Sequence, residues 1–264
     1  MRGIIVLLAL LLSLSSCTVP PGEPEETSNG FVFSDSAVIG YWWLEELTDD
    51  IKIENGILEI PQTDDQGNVI VGIGASAIIN NEEIEEIFIG DNIEWISRGG
   101  ISNLPNLKTV HIGKNLNDIT DYLFENCPNL KNVVIHPENP NFKFEGNCLL
   151  SKDGTKLLRA WNDSYQIPSS VTVIGIGSFA KSHFLAAISL PEGITTVELG
   201  AFAGCENLRE IYFPKTITTV ENIARGGITA DITAYFYRTT DIKGFSEDWD
   251  LMGGEERMKI VFID

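Results

Sequence analysis

Two apolar residues flanking one variable residue recur along the chain. They read Ile87-Phe88-Ile89, Val110-His111-Ile112, Val133-Val134-Ile135, Tyr165-Gln166-Ile167, Ile188-Ser189-Leu190 and Ile211-Tyr212-Phe213. The third positions lie 23, 23, 32, 23 and 23 residues apart, so the period is 23 with a nine-residue insertion in one unit. Other columns keep the same step: Ile93, Leu116, Val171, Ile194 and Ile217; Ile96, Ile119, Ile174, Val197 and Val220; Ile101, Phe124, Phe179 and Phe202. An upstream unit, Ile60 to Gly74, fits with six extra residues around Asp64-Asp65-Gln66-Gly67-Asn68. A unit this short cannot bury its apolar side by itself. Stacked units can, because each column becomes a continuous ladder through a shared core. The sequence therefore predicts a solenoid of about seven coils.

In each short strand the two apolar residues point inward and their neighbours point out. The outward column is Phe88, His111, Val134, Gln166, Ser189 and Tyr212, and beside it run Glu86, Thr109, Asn132, Ser164, Ala187 and Glu210. These positions vary in type where the core columns do not. Phe88, His111, Val134, Gln166, Tyr212, Glu86, Thr109 and Glu210 are the expected protein-binding face, since exposed aromatic and apolar side chains on a rigid strand row suit that use.

Leu107-x-x-Val110-x-Ile112 and Leu185-x-x-Ile188-x-Leu190 carry the strand signature of leucine-rich repeats. The segments Ile167-Pro168 through Ser178-Phe179, Leu190-Pro191 through Val197, and Ala201-Phe202 through Leu208 extend it. The chain resembles the BspA-type (Treponema pallidum type) leucine-rich repeat proteins, whose coils read roughly L-K-x-I-x-I-P-x-S-V-T-x-I-G-x-x-A-F-x-x-C. The resemblance covers residues 57 to 264. It implies a leucine-rich-repeat solenoid of the α/β horseshoe class, mostly β with short or irregular convex segments. It also matches the insertion near 140–160, where Asp153-Gly154 supplies a tight turn between two short strands.

Cys127 and Cys205 share a column that holds Leu104 and Ser182 in other coils. That column asks for a small buried side chain, which a reduced Cys satisfies. Three coil steps put the two about 14 Å apart, beyond the roughly 7 Å a disulfide tolerates. Cys148 lies in the insertion, and a Cys127–Cys148 bridge stays open at this stage; unpaired cysteines are the expectation.

The ends of a stack need covers. Residues 31–56 are the expected N-terminal cap, with Phe31, Phe33, Tyr41, Trp42 and Trp43 to close the first coil and a hairpin turn at Asn55-Gly56. The repeats run over 57–231. Arg225 stands where Phe is expected, and 232–264 is read as a C-terminal cap that includes Gly244-Phe245 to Trp249 and a last strand, Lys259 to Phe262.

The N-terminus reads MRGIIVLLALLLSLSSC. A positive end followed by the apolar run Ile4 to Leu12 has the build of a secretory signal and is too short to span a bilayer. Leu14-Ser15-Ser16-Cys17 resembles the lipobox of bacterial lipoproteins, which implies a signal peptide over 1–16 and lipidation of Cys17. Residues 17–30, rich in Pro, Glu, Ser and Gly, then form a tether reaching about 40 Å when extended. Several acyl chains anchor a protein stably. The expected location is the bacterial cell envelope, lipid-anchored, at the outer membrane or cell surface.

No catalytic constellation is legible. His111, His136 and His183 fall at different phases of the repeat, and no His-Glu-x-x-His, Cys-x-x-Cys, Gly-x-Ser-x-Gly or phosphate loop occurs. The Asp64 loop has Ala75 where a calcium loop needs its twelfth-position Glu. Gly72-x-Gly74 and Gly175-x-Gly177 recur with the coil and are read as its corners. No enzyme, metal or cofactor is expected. The formal charge of −20 opposes nucleic-acid binding, and membrane contact is expected through the lipid alone. The expected function is cell-surface protein–protein binding; by the resemblance, the partners are host extracellular-matrix or bacterial surface proteins. The rival readings are a carbohydrate-binding accessory lipoprotein using Trp42, Trp43 and Trp161, and an envelope hydrolase. For the anchor, Cys17→Ser is expected to abolish incorporation of radiolabelled lipid and release the chain from membrane fractions; normal labelling and partition of that variant would exclude lipidation there.

Overall fold

The computed structural model describes residues 26–35, 41–119, 123–224, 231–242, 245–253 and 256–264. The signal segment, Cys17 and Arg225 lie outside the described residues. The chain winds as a β-solenoid of about eight turns with a coil near 23 residues. No α-helix occurs among the described residues, and the sides of each coil away from the strands are made of turns.

The coils build two parallel ladders, the first of them interrupted at residues 165–167, where no strand forms. The first ladder is built from the apolar-x-apolar strands. In one half of the molecule it runs Ile57–Glu59, Glu86–Phe88, Thr109–Ile112 and Asn132–Ile135; in the other, Ala187–Ser189, Glu210–Tyr212, Thr233–Tyr237 and Lys259–Ile263. The second ladder uses the strands that follow the next turn of each coil. It runs Ile70–Ile73, Trp95–Ile96 and Asp118–Ile119, then Val173–Ile174, Thr196–Val197 and Thr219–Val220. The 23-residue step fixes the register: Val110 pairs with Ile87 and Val133, and Ile211 with Ile188. A one-residue slip would turn the apolar set out to solvent.

The core lies between the ladders. Phe179 and Phe202 are fully buried, and their rings stack at 5.5 Å between centroids. Leu104, Cys127, Ser182 and Cys205 all lie buried in their shared column. The three described cysteines are unpaired. Burial pushes the thiols of Cys127 and Cys148 up to about 12 and that of Cys205 to about 11, so they stay protonated and act as small apolar side chains. Cys205 Sγ donates to Phe179 O at 3.0 Å.

Two corners of the coil bend through left-handed backbone at several of the described turns. Ser76, Gly99, Gly177 and Gly200 form one such column, and Asn80, Asn103, Asn126, Lys181 and Gly204 the other. Gly and Asn tolerate this conformation, which explains why they punctuate the repeat. A third polar column locks neighbouring coils. The Asn of three Asn-Leu pairs that precede first-ladder strands donates its Nδ2 to a carbonyl one coil back: Asn106 to Glu82, Asn129 to Pro105 and Asn207 to His183, at 2.7, 2.7 and 2.6 Å.

The insertion forms an antiparallel meander of Phe142–Glu145, Cys148–Ser151 and Lys156–Arg159, whose last strand joins the second ladder beside Val173–Ile174. Asn139 anchors its start. It is buried, donates to the carbonyls of Gly113 and Leu116, and accepts from the amides of Asn141 and Phe142. Arg159, also buried, donates to the carbonyls of Gly177 and Ala180.

At the N-terminal end, Glu26–Ser28, Phe31–Asp35 and Trp42–Leu47 form an antiparallel meander that enters the second ladder against Ile70–Ile73. Its first strand begins inside the stretch read as tether. The Asn55-Gly56 turn is present with both residues left-handed, but only Glu54 and Ile57 bridge across it. At the other end Phe245 and Trp249 pack edge-on to one another, and both cover Phe236. Phe179→Ala, between coils on both sides, is expected to lower stability by about 3–5 kcal/mol in a urea melt; a loss under about 1 kcal/mol would show that the ring is not part of the ladder.

Candidate functional site

The first ladder presents its outward residues in two groups. In the first half, Glu59, Phe88, His111 and Val134 align across neighbouring strands, with Glu86, Thr109 and Asn132 two positions earlier. The Phe88 and His111 rings stack nearly parallel, 3.9 Å between centroids and 8° apart. That is closer than the ~4.8 Å between strands, so the rings lean together. His111 Nε2 lies 2.6 Å from Glu86 Oε1, which fixes the imidazole over the phenyl face. Val134 is 42% exposed at the last strand of this group.

In the second half, Ser189, Tyr212, Tyr235 and Val261 align. Tyr212 and Tyr235 stack at 4.3 Å between centroids and 5° between planes. Both hydroxyls donate to the same carboxylate, Glu210, at 3.1 and 3.2 Å. Partial loss of solvent and the hydrogen-bonded, negatively charged Glu210 raise the Tyr212 hydroxyl above the ordinary tyrosine range. Lys215 Nζ lies 4.6 Å from the centre of the Tyr237 ring farther along the same strand. The two groups share a plan: a stacked aromatic pair braced by a Glu two residues before the first ring.

Gln166 belongs to neither group. Its segment forms no strand, and its amide donates to Gly146 O in the insertion at 2.7 Å. Tyr165 turns inward onto Phe179, edge-on at 5.1 Å. The structure thus brings Glu86, Phe88, Thr109, His111 and Val134 together and, separately, Glu210 and Tyr212. Gln166 lies exposed between them.

Tyr235 completes the second pair and is not among the residues expected from the sequence. The signal was there: Ala234-Tyr235-Phe236 repeats Ile211-Tyr212-Phe213 one period later, with Ala in an apolar column. The tryptophans also separate. Trp161 is buried between Phe124 and Phe144, with Nε1 donating to Leu130 O at 2.6 Å, so it presents no face to a sugar. Trp42 packs on the core, whereas Trp43 stacks on Trp95 in the second ladder.

A family model described as "BspA type Leucine rich repeat region" matches residues 65–150 and 162–225, in six copies. No curated protein matches the chain. Among solved structures, a leucine-rich repeat protein of T. pallidum is 13% identical, covers 90% of this chain and 100% of its own, and has a TM-score of 0.41. A leucine-rich repeat protein of Eubacterium ventriosum is 13% identical over 89% of this chain and 83% of its own, with a TM-score of 0.40. A leucine-rich cell surface protein of Faecalibacterium prausnitzii is 16% identical over 81% of this chain and 95% of its own, with a TM-score of 0.30. For the second aromatic pair, Glu210→Gln removes the charge that opposes phenolate formation, so Tyr212 is expected to titrate at lower pH by NMR of ring-labelled tyrosine. An unchanged titration would mean that the carboxylate does not brace the ring.

Proposed function

This chain belongs to the BspA-type leucine-rich repeat family, and on that premise we propose that it is an exported, lipid-anchored, non-enzymatic protein that binds other proteins through the outward face of its first ladder. The observation that carries this reading is the pair of acid-braced aromatic stacks, Phe88–His111 and Tyr212–Tyr235, on outward positions of a rigid ladder. Aromatic rings held in place lose little entropy on contact, which is why such side chains anchor interfaces. The core gains nothing from them, since their neighbours Ile87, Val110, Ile211 and Ala234 already fill it.

The partner class is an extracellular-matrix or bacterial surface protein, reached from the cell envelope on the tether that follows Cys17. The acidic balance of the chain favours a partner surface with basic residues around its apolar contacts. In the full chain carrying Cys17→Ser, the combined changes Phe88→Glu, His111→Glu and Tyr212→Glu are expected to weaken capture of immobilised matrix and bacterial surface proteins at least about tenfold, with Tm nearly unchanged. The control is Ile176→Glu at an exposed position beside the second ladder. Loss of capture in the control alone would move the interface off the first ladder.

A further inference from the structure

We propose a second site, for a neutral oligosaccharide, on the outer face of the second ladder at its N-terminal end. Its floor is a row of residues on adjacent strands: Ser34, Trp43, Gly72, Trp95 and Asp118. The inward neighbours Leu44, Ile73 and Ile96 are all in the core, which sets this row facing out. Trp43 and Trp95 sit two strands apart, about 10 Å across the ladder. Their ring centroids are nevertheless 6.4 Å apart, with planes 13° from parallel. The indoles therefore lean together across Gly72.

Gly72 is what lets them do so. A Cβ there would lie 2.6 Å from the six-membered ring of Trp43, closer than any side chain allows. Gly74 plays the same part for Glu45, whose Oε2 would lie 2.4 Å from an added Cβ. The Gly-x-Gly pair is thus a shelf beneath Trp43 and Glu45 rather than a simple corner. Tyr41 closes one side of the shelf, edge-on to Trp95 at 6.2 Å and 74°.

Covering the first coil does not require this arrangement. That task falls to Phe31, Phe33 and Leu44, which are buried. Tyr41, Trp43 and Trp95 keep part of their surface in water. Clustered aromatic surface left wet on an otherwise polar face has the composition of a binding site. Its chemistry selects the ligand. The near-parallel stacked indoles, seated over Gly72, offer aromatic surface suited to the C–H face of a pyranose and unlike a box closed around a point cation. The flanking Glu45 and exposed Asp118 carboxylates are acceptors only. They pair with hydroxyl donors and repel carboxylated or sulfated glycans.

The test uses the full chain carrying Cys17→Ser, with cellotetraose, chitotetraose and mannotetraose as probes and tetragalacturonate and tetramethylammonium as charged comparisons. At least one neutral tetrasaccharide is expected to shift tryptophan emission saturably and to give a matching calorimetric isotherm. Trp95→Ala is expected to weaken it at least roughly tenfold with Tm unchanged, and Gly72→Val to weaken it by displacing Trp43. The triple change at Phe88, His111 and Tyr212 should leave sugar binding intact, which keeps this site distinct from the protein-binding face. Absence of binding by all three neutral probes would overturn the proposal. So would binding that survives Trp95→Ala, or stronger binding of tetramethylammonium or tetragalacturonate.

Discussion

A coil of this protein satisfies its backbone against the coil before it, and the rest of the structure depends on that. Lys131 donates to Lys108 O and Lys108 to Glu85 O; Thr218 donates to Thr195 O and Thr195 to Thr172 O. A single coil would leave these groups and its apolar columns in water. Stability therefore comes from neighbours, and every column must hold its position from coil to coil. The phenylalanines are the bulkiest expression of that rule. The Asn-Leu pairs add a polar version of it, with the Leu in the core and the Asn bonded across the coil boundary.

The insertion shows what happens where the rule is interrupted. Adding residues between Ile135 and Tyr165 removes one strand from the first ladder, while Lys156–Arg159 at the end of the insertion fills the place of that coil's strand in the second. The buried groups on both sides make the join rigid. Trp161 and Asn162 both donate to Leu130 O in the preceding coil, and Arg159 reaches forward to Gly177 and Ala180. The first ladder is consequently two ladders, each with its own core cluster and its own aromatic pair.

Periodicity made the coil legible. Inward columns repeat because each must fit the same space, so Ile87, Val110, Val133, Ile188 and Ile211 stand out from one sequence. Their outward neighbours Phe88, His111, Val134, Ser189 and Tyr212 were placed on the right face by alternation alone. Three features were beyond that reasoning. The missing strand at Gln166 follows from tertiary bonding to Gly146, which leaves the local apolar-x-apolar pattern intact. Tyr235 was hidden because Ala234 weakens the column and Arg225 broke another. Trp95 was invisible as a site residue because its partner, Trp43, arrives from the N-terminal meander, which has no period to follow.

The same physics explains why outward residues vary in type and carry no periodic signal. A core position answers to its neighbours above and below, so its type is constrained by the fold. An outward position answers to solvent, to the side chains beside it on the same face, or to a partner. Phe88 stands in register with His111, and Ser189 with Tyr212, residues of different type, although the inward residues beside them barely change. Substitution there leaves the core intact, and chemistry can accumulate on the surface independently of the stack. The glutamates fit this view. Glu86 orients His111, and Glu210 holds two tyrosines by one carboxylate. In each case the acid fixes an aromatic ring whose position the core does not need. Ordering such rings costs entropy that packing does not return, so their geometry points outward, to whatever the ladder meets.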